Sequence, residues 1–173
     1  MKILFISDIH GITDNLDFIE RKINECKIDK LVCLGDLYYN YYYTNRDDVH
    51  DFLNKYKDIL ICMRGNCETL LDIEVSDFKI NDGIILINVD GIDMYLTHGN
   101  IYNYDNNSLS DKKGVLVHGH YHRPFIRRKN EMIYLNVGSI SKPRNEIATY
   151  GIYENRCFKI YDIEDNIIDE IEL

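Results

Sequence analysis

Apolar and polar positions follow two rhythms along this chain. In its first third, the apolar runs at Lys2 to Ser7, Leu31 to Leu34 and Ile59 to Met63 are short and nearly continuous, the pattern of strands buried in a sheet. Between the first two, Leu16, Ile19, Ile23 and Cys26 recur at helical spacing, with Thr13 or Asp14 placed to cap the start. A second helix carries Val49, Phe52, Leu53 and Tyr56 on one face, and Asp47 and Asp48 fall in its first turn, where the helix dipole favours carboxylates. Two strand–helix–strand crossovers of this kind predict parallel neighbours in one sheet, with the helices on its outer face.

The rhythm then shifts to strands joined by tight turns. Ile84 to Val89 and Ile92 to Thr97 flank Asp90-Gly91, a strong hairpin signal. Val115 to His118, Pro124 to Arg128, Met132 to Val137, Thr149 to Tyr153 and Cys157 to Ile163 continue the series. Together the halves predict an α/β sandwich of two packed sheets with helices outside. No linker, repeat or low-complexity tract interrupts the pattern, so the 173 residues read as one domain over 1–173.

Bulk properties narrow the class. No apolar run approaches the roughly 20 residues of a membrane span, and the opening Met1 to Ile6 is too short for a signal peptide. Five cysteines, Cys26, Cys33, Cys62, Cys67 and Cys157, are irregularly spaced and mostly sit in apolar runs, which points to free thiols and a cytoplasmic location. A net charge of −9 argues against a nucleic-acid polymer as partner. The basic group Arg123, Arg127, Arg128 and Lys129 reads first as a solvated strand and turn. Homo-oligomerisation is left open.

Residues able to bind metal stand where strands end: Asp8 and His10, Gly35-Asp36, Gly65-Asn66-Cys67-Glu68, Thr97-His98-Gly99, and Gly119-His120-Tyr121-His122. In an open α/β sheet those carboxyl ends lie side by side, so residues far apart in sequence converge on one crevice. Each motif alone is weak; five in order, all at predicted strand ends, are not. His118 and His50 read as a structural strand-end histidine and a surface helix residue. Tyr38, Tyr39, Tyr41, Tyr42 and Tyr43 follow Asp36 directly and suit either stacking on an aromatic substrate group or a subunit contact.

This set of motifs resembles the calcineurin-like metallophosphoesterases and, through Gly65-Asn66-Cys67, Leu96 to Gly99 and Asn136 to Ser139, the small bacterial YfcE-type phosphodiesterases. The resemblance runs from Met1 to about Arg144 and implies a four-layer αββα fold of two mixed sheets flanked by helices. It implies two divalent ions, one held by Asp8, His10, Asp36 and His122 and the other by Asp36, Asn66, His98 and His120. Oxygen and imidazole donors make manganese the first choice, ahead of iron, zinc and nickel. The implied reaction is hydrolysis of a small phosphodiester by a hydroxide bridging the metals. Two ions less Asp8, Asp36 and one hydroxide leave about +1 in the cleft, suited to an anionic substrate.

The chain departs from the family pattern in four places. Cys67 stands where many relatives carry the His that protonates the leaving group, and two nearby cations would depress its pKa. Glu68 replaces Asp, Val137 replaces Pro, and Asn100 replaces a second His, leaving Asn66 and Asn100 as candidate substrate contacts. Alternative functions are a phosphomonoesterase on the same site and a non-catalytic scaffold like the retromer subunit of this fold.

Overall fold

The computed structural model of the chain describes residues 1–38, 45–106, 109 and 111–173. Strand β1 (Lys2–Ile6) leads to helix α1 (Leu16–Glu25), strand β2 (Lys30–Cys33), helix α2 (Arg46–Lys55) and strand β3 (Leu60–Met63). A short helix α3 (Leu70–Glu74) and a two-residue strand β4 (Ile80–Asn81) precede the hairpin of β5 (Ile84–Val89) and β6 (Ile92–Thr97). The remaining strands are β7 (Gly114–His118), β8 (Pro124–Lys129), β9 (Met132–Val137), β10 (Thr149–Glu154), β11 (Cys157–Asp162) and β12 (Ile167–Glu172).

Two mixed sheets result. One has the order β12-β11-β10-β1-β2-β3-β4, with β1, β2 and β3 parallel; the other has β5-β6-β7-β9-β8, with β6, β7 and β9 parallel. The continuous apolar runs of β1 and β2 are explained by burial on both faces. Leu4, Ile6, Leu31 and Cys33 face Ile19, Ile23, Val49 and Leu53 of the two helices. Ile3, Phe5 and Val32 face inward and join Met94, Leu96, Val115, Val117 and Leu135 of the second sheet.

The sandwich is the one the hydrophobic pattern predicts, with local differences. Asn15, not Thr13 or Asp14, holds the N-cap position of α1, and its side chain makes no cap bond; its Nδ2 donates to the Ile140 carbonyl at 2.6 Å. That tie to the loop after β9 takes priority over capping. Helix α3 starts from a capping box of Thr69 and Asp72, a Thr-x-x-Asp signal present in the sequence but too brief to stand out beside the neighbouring motif. Over the outer face of the second sheet, Tyr104 and Leu109 pack on Leu116 and Tyr134 from an irregular segment. No helix forms among the described residues there, because Asn103 Oδ1 accepts from the Asp105 and Asn106 amides and Asn103 Nδ2 bonds the Gly99 carbonyl, side-chain bonds that compete with a helical ladder. No described helix is long and apolar enough to cross a membrane.

Candidate metal centre

The three parallel strands of the first sheet and the β6–β7 pair of the second deliver their carboxyl ends to one edge. Their loops are laced together by backbone bonds: Asp8 N–H donates to Gly35 O at 3.0 Å, His10 N–H to Asp36 O at 2.9 Å, and Gly119 N–H to His98 O at 2.8 Å. Asp8, His10, Asp36, His120 and His122 all adopt left-handed backbone, with φ of 56°, 53°, 52°, 66° and 56°. Each such residue costs on the order of 1–3 kcal/mol and persists only where the surroundings impose it. Five of them among seven candidate ligands mark the edge as a functional site. Gly35, at φ 93°, and Gly65 pack backbone to backbone: a Cβ on Gly35 would lie 2.6 Å from Gly65 N, and one on Gly65 would overlap Asp36 itself. Only glycine lets these two loops approach closely enough to align their side chains.

Among the described residues, two groups of donor atoms form. Asp8, His10, Asp36 and His122 make one and Asp36, His98 and His120 the other, with the donor atoms of each lying within 4.8 Å of one another. In the first, His122 Nε2 is 3.3 Å from Asp8 Oδ1, and His10 Nε2 is 3.2 Å from His122 Nε2 and 3.6 Å from Asp36 Oδ2. In the second, His98 Nε2 is 3.4 Å from Asp36 Oδ2, 3.2 Å from His120 Nδ1 and 3.1 Å from Asn66 Oδ1, so Asn66 joins this group. Asp36 belongs to both.

The donors suit a cation. His98 Nδ1 lies 2.8 Å from the Leu34 carbonyl and His122 Nδ1 lies 2.6 Å from the Lys142 carbonyl, an arrangement that puts the proton on Nδ1 and turns the Nε2 lone pair inward. Asp8 Oδ2 accepts from the His120 amide, but Asp8 Oδ1, fully buried, has no hydrogen bond of acceptable geometry. A buried carboxylate oxygen left so beside inward-turned imidazoles fits a divalent ion of the oxygen- and nitrogen-binding kind.

Charge on these side chains follows from the same crowding. Burial alone would raise Asp36, but the hydrogen bond and charge of His98 outweigh it and hold the carboxyl well below its usual range. Burial opposes protonation of His98 and His122, yet Asp36 and Asp8 respectively hold both above the ordinary 6.5. His10 and His120 are lowered, chiefly by burial. Glu68, buried, accepts from the amides of Asp36, Leu37, Tyr38 and Gly65 at 2.7 to 3.2 Å and thereby clamps the β2 and β3 loops together.

Other predicted residues fall at various distances from this centre. Cys67 adjoins it: its N–H donates to Asp36 Oδ1 at 2.9 Å and its Sγ is 3.9 Å from His10 Nδ1. Among the protein's own groups, burial first and then Asp36 push its thiol up to about 12. Asn100 is exposed and borders a separate hollow with Arg64, Asp82 and Ile101, which meets the metal cleft at Asn66. His118 belongs to neither group; its Nδ1 lies 3.0 Å from Gly119 O, and burial lowers it to about 4. His50 lies on α2 beside Asp51 and Asp77. Tyr38 is buried with Arg46 over its ring at 4.3 Å, so it offers no open face for stacking; Tyr39, Tyr41, Tyr42 and Tyr43 lie outside the described residues. Sequence reasoning missed Lys142 and Arg144, which border the metal cleft beside Pro143. The signal was two cations flanking a proline, with Lys142 three residues after Ser139.

The model of the calcineurin-like phosphoesterase superfamily domain matches residues 1–156. The chain is 28% identical over 176 residues to phosphodiesterase YfcE of Escherichia coli strain K12, covering 97% of this chain and 95% of that one. It superposes on the solved structure of YfcE, a phosphoesterase from E. coli, with a TM-score of 0.91 at 27% identity over 99% of each chain. Vacuolar Protein Sorting 29 from Cryptosporidium parvum matches with a TM-score of 0.69 at 17% identity, covering 99% of this chain and 98% of that one, a likeness of fold alone.

Protonation and cation binding compete for the same lone pairs. Because His98 and His122 are held above 6.5, metal must displace protons from them, and apparent metal affinity should rise with pH through and above 6.5, with protons released on binding. Calorimetric titration in buffers of different ionisation enthalpy measures this directly; pH-independent affinity without proton release would refute it.

Proposed function

The chain belongs to the calcineurin-like phosphoesterase superfamily and is a metal-dependent phosphoesterase, and from that premise we propose that it is a dinuclear phosphodiesterase acting on a small phosphodiester. The observation that carries this reading is the sharing of Asp36 between two donor groups. Asp8, His10, Asp36 and His122 would hold one ion, and Asp36, Asn66, His98 and His120 the other. Nitrogen and oxygen donors without thiolate favour manganese, ahead of iron, zinc and nickel. Such a pair supplies a nucleophilic water at neutral pH and neutralises charge on the phosphate oxygens.

The chain's own residues do the rest. Asn66, exposed at the junction of the cleft and the Asn100 hollow, is positioned to offer its amide to a phosphate oxygen. Cys67, whose Sγ lies 3.9 Å from His10 Nδ1 at the edge of the centre, would donate its Sγ proton to the departing oxygen. Two hollows meeting at Asn66 leave room for both arms of a diester, with Asn100 bordering one of them, and this supports a diester over a monoester. The complete donor set speaks against a scaffold role. Five free cysteines support placement in the cytoplasm.

Hydrolysis of bis(p-nitrophenyl) phosphate should require added divalent metal and vanish on exhaustive chelation; Asp36→Ala should lose far more activity than His118→Ala or His50→Ala. Metal-independent turnover, or equal damage from His118→Ala, would overturn the assignment. For Cys67, Cys67→Ala should slow esters with poor alkoxide leaving groups by about 10²-fold or more while sparing nitrophenyl esters, which depart without a proton. A similar small loss on both ester types would remove Cys67 from the chemistry.

A further inference from the structure

The hollow that meets the metal cleft at Asn66 encloses about 280 Å³. Besides Gly65 and Asn66, two segments line it: the end of β3 with the β4–β5 turn supplies Arg64, Asp82 and Gly83, and the end of β6 with the residues after it supplies Thr97, Asn100 and Ile101.

Both segments are braced through their backbones. Arg64 N–H donates to the Asn81 carbonyl at 2.7 Å, and the Thr97 hydroxyl donates to the Gly83 carbonyl at 2.9 Å, which pins the turn between β3 and β6. Asn103 Nδ2 donates to the Gly99 carbonyl and Asn106 Nδ2 to the Ile101 carbonyl, each at 2.7 Å, so the segment carrying Asn100 and Ile101 is held at both ends. A lining fixed in this way keeps its shape before a ligand arrives.

Charge in the hollow cancels. Arg64 Nη1 lies 3.2 Å from Asp82 Oδ2, and Arg64 Nε and Nη2 each donate to the Glu68 carbonyl at 3.2 Å. Arg64 and Asp82 are the charged pair among the described lining residues, and no third charge joins them. A charged arm entering here meets repulsion from one member as it meets attraction from the other. Asn100, exposed, offers a donor and an acceptor on one amide, Asp82 adds acceptor oxygens, and Ile101, 54% exposed, adds an apolar surface. Such a lining suits a group with hydroxyls on one side and C–H bonds on the other.

We infer that this hollow seats an uncharged polyhydroxyl arm of the diester, a polyol or sugar, and that Asn100 is the residue that sets the preference. This rests on the phosphodiesterase reading and narrows its substrate class.

Three p-nitrophenyl phosphodiesters that share one leaving group and carry glyceryl, propyl or carboxyethyl as the other arm test it. With manganese-loaded protein, kcat/KM for the glyceryl ester should exceed that for the propyl ester about tenfold, and the carboxyethyl ester should fall below propyl. Asn100→Leu, which keeps the volume and removes the hydrogen bonds, should bring the glyceryl-to-propyl ratio near unity. Asp82→Asn, which takes the counter-charge from Arg64, should raise the carboxyethyl ester relative to propyl about threefold or more, a gain that added salt removes. Asn24→Leu, the same change on α1 away from the hollow, should keep the wild-type ratio. A wild-type glyceryl-to-propyl ratio near unity, a ratio kept in Asn100→Leu, an equal fall in Asn24→Leu, a wild-type preference for carboxyethyl over propyl, or no carboxyethyl gain in Asp82→Asn would overturn the inference. Hydrolysis of bis(p-nitrophenyl) phosphate, followed in parallel, separates the two readings: metal-dependent turnover without the arm preference defeats only the substrate class, whereas absence of turnover on every diester defeats the phosphodiesterase reading.

Discussion

Bringing two carboxylates and four imidazoles to one edge of a sandwich is the constraint around which this molecule is arranged. Such a cluster strains the backbone, since Asp8, His10, Asp36, His120 and His122 all sit in left-handed conformation. The surrounding structure offsets that cost. Glu68 collects four amides from the β2 and β3 loops, Gly35 and Gly65 permit the loops to touch, and Ser139 and Lys142 brace Asp8 and His122 from the far side. The doubly buried β1 and β2, packed between helices and the second sheet, give those loops a rigid base. Rigid placement is what a site that must orient a phosphate requires.

Much of this was legible in the chain. Periodicity located the β5–β6 hairpin at its observed ends, because Asp-Gly turn chemistry and alternation agree there. It located the other long strands up to β11, but not β12 (Ile167–Glu172), whose residues are all exposed or half-buried and carry no continuous apolar run. Strand β4, two residues long, and helix α3, five residues long, escaped because so few positions carry no period. The cap of α1 was misplaced because Asn15 is recruited by the Ile140 carbonyl, a partner more than a hundred residues away in sequence. Local propensity cannot register such a contact.

The candidate ligands were legible for a different reason: each stands beside a glycine or at a strand end, where residue type and position coincide. What sequence could not supply was the second tier. That Glu68 would face backbone amides rather than a side chain, that Asn100 would border a neighbouring hollow, and that Lys142 and Arg144 would flank the cleft all depend on how distant loops stack. The overall acidity of the chain likewise conceals Lys142 and Arg144 in the lining of the metal cleft. Net charge describes the field far from the surface; the local lining decides what binds.

The claim on which everything else rests is that the shared Asp36 joins two cation sites. Crystals of the protein grown with manganese, and diffraction data collected at the manganese absorption edge, test it most directly. The account predicts two anomalous peaks per chain roughly 3.5–4 Å apart, both within bonding distance of the Asp36 carboxylate. A single peak, or two peaks of which only one touches Asp36, would contradict it.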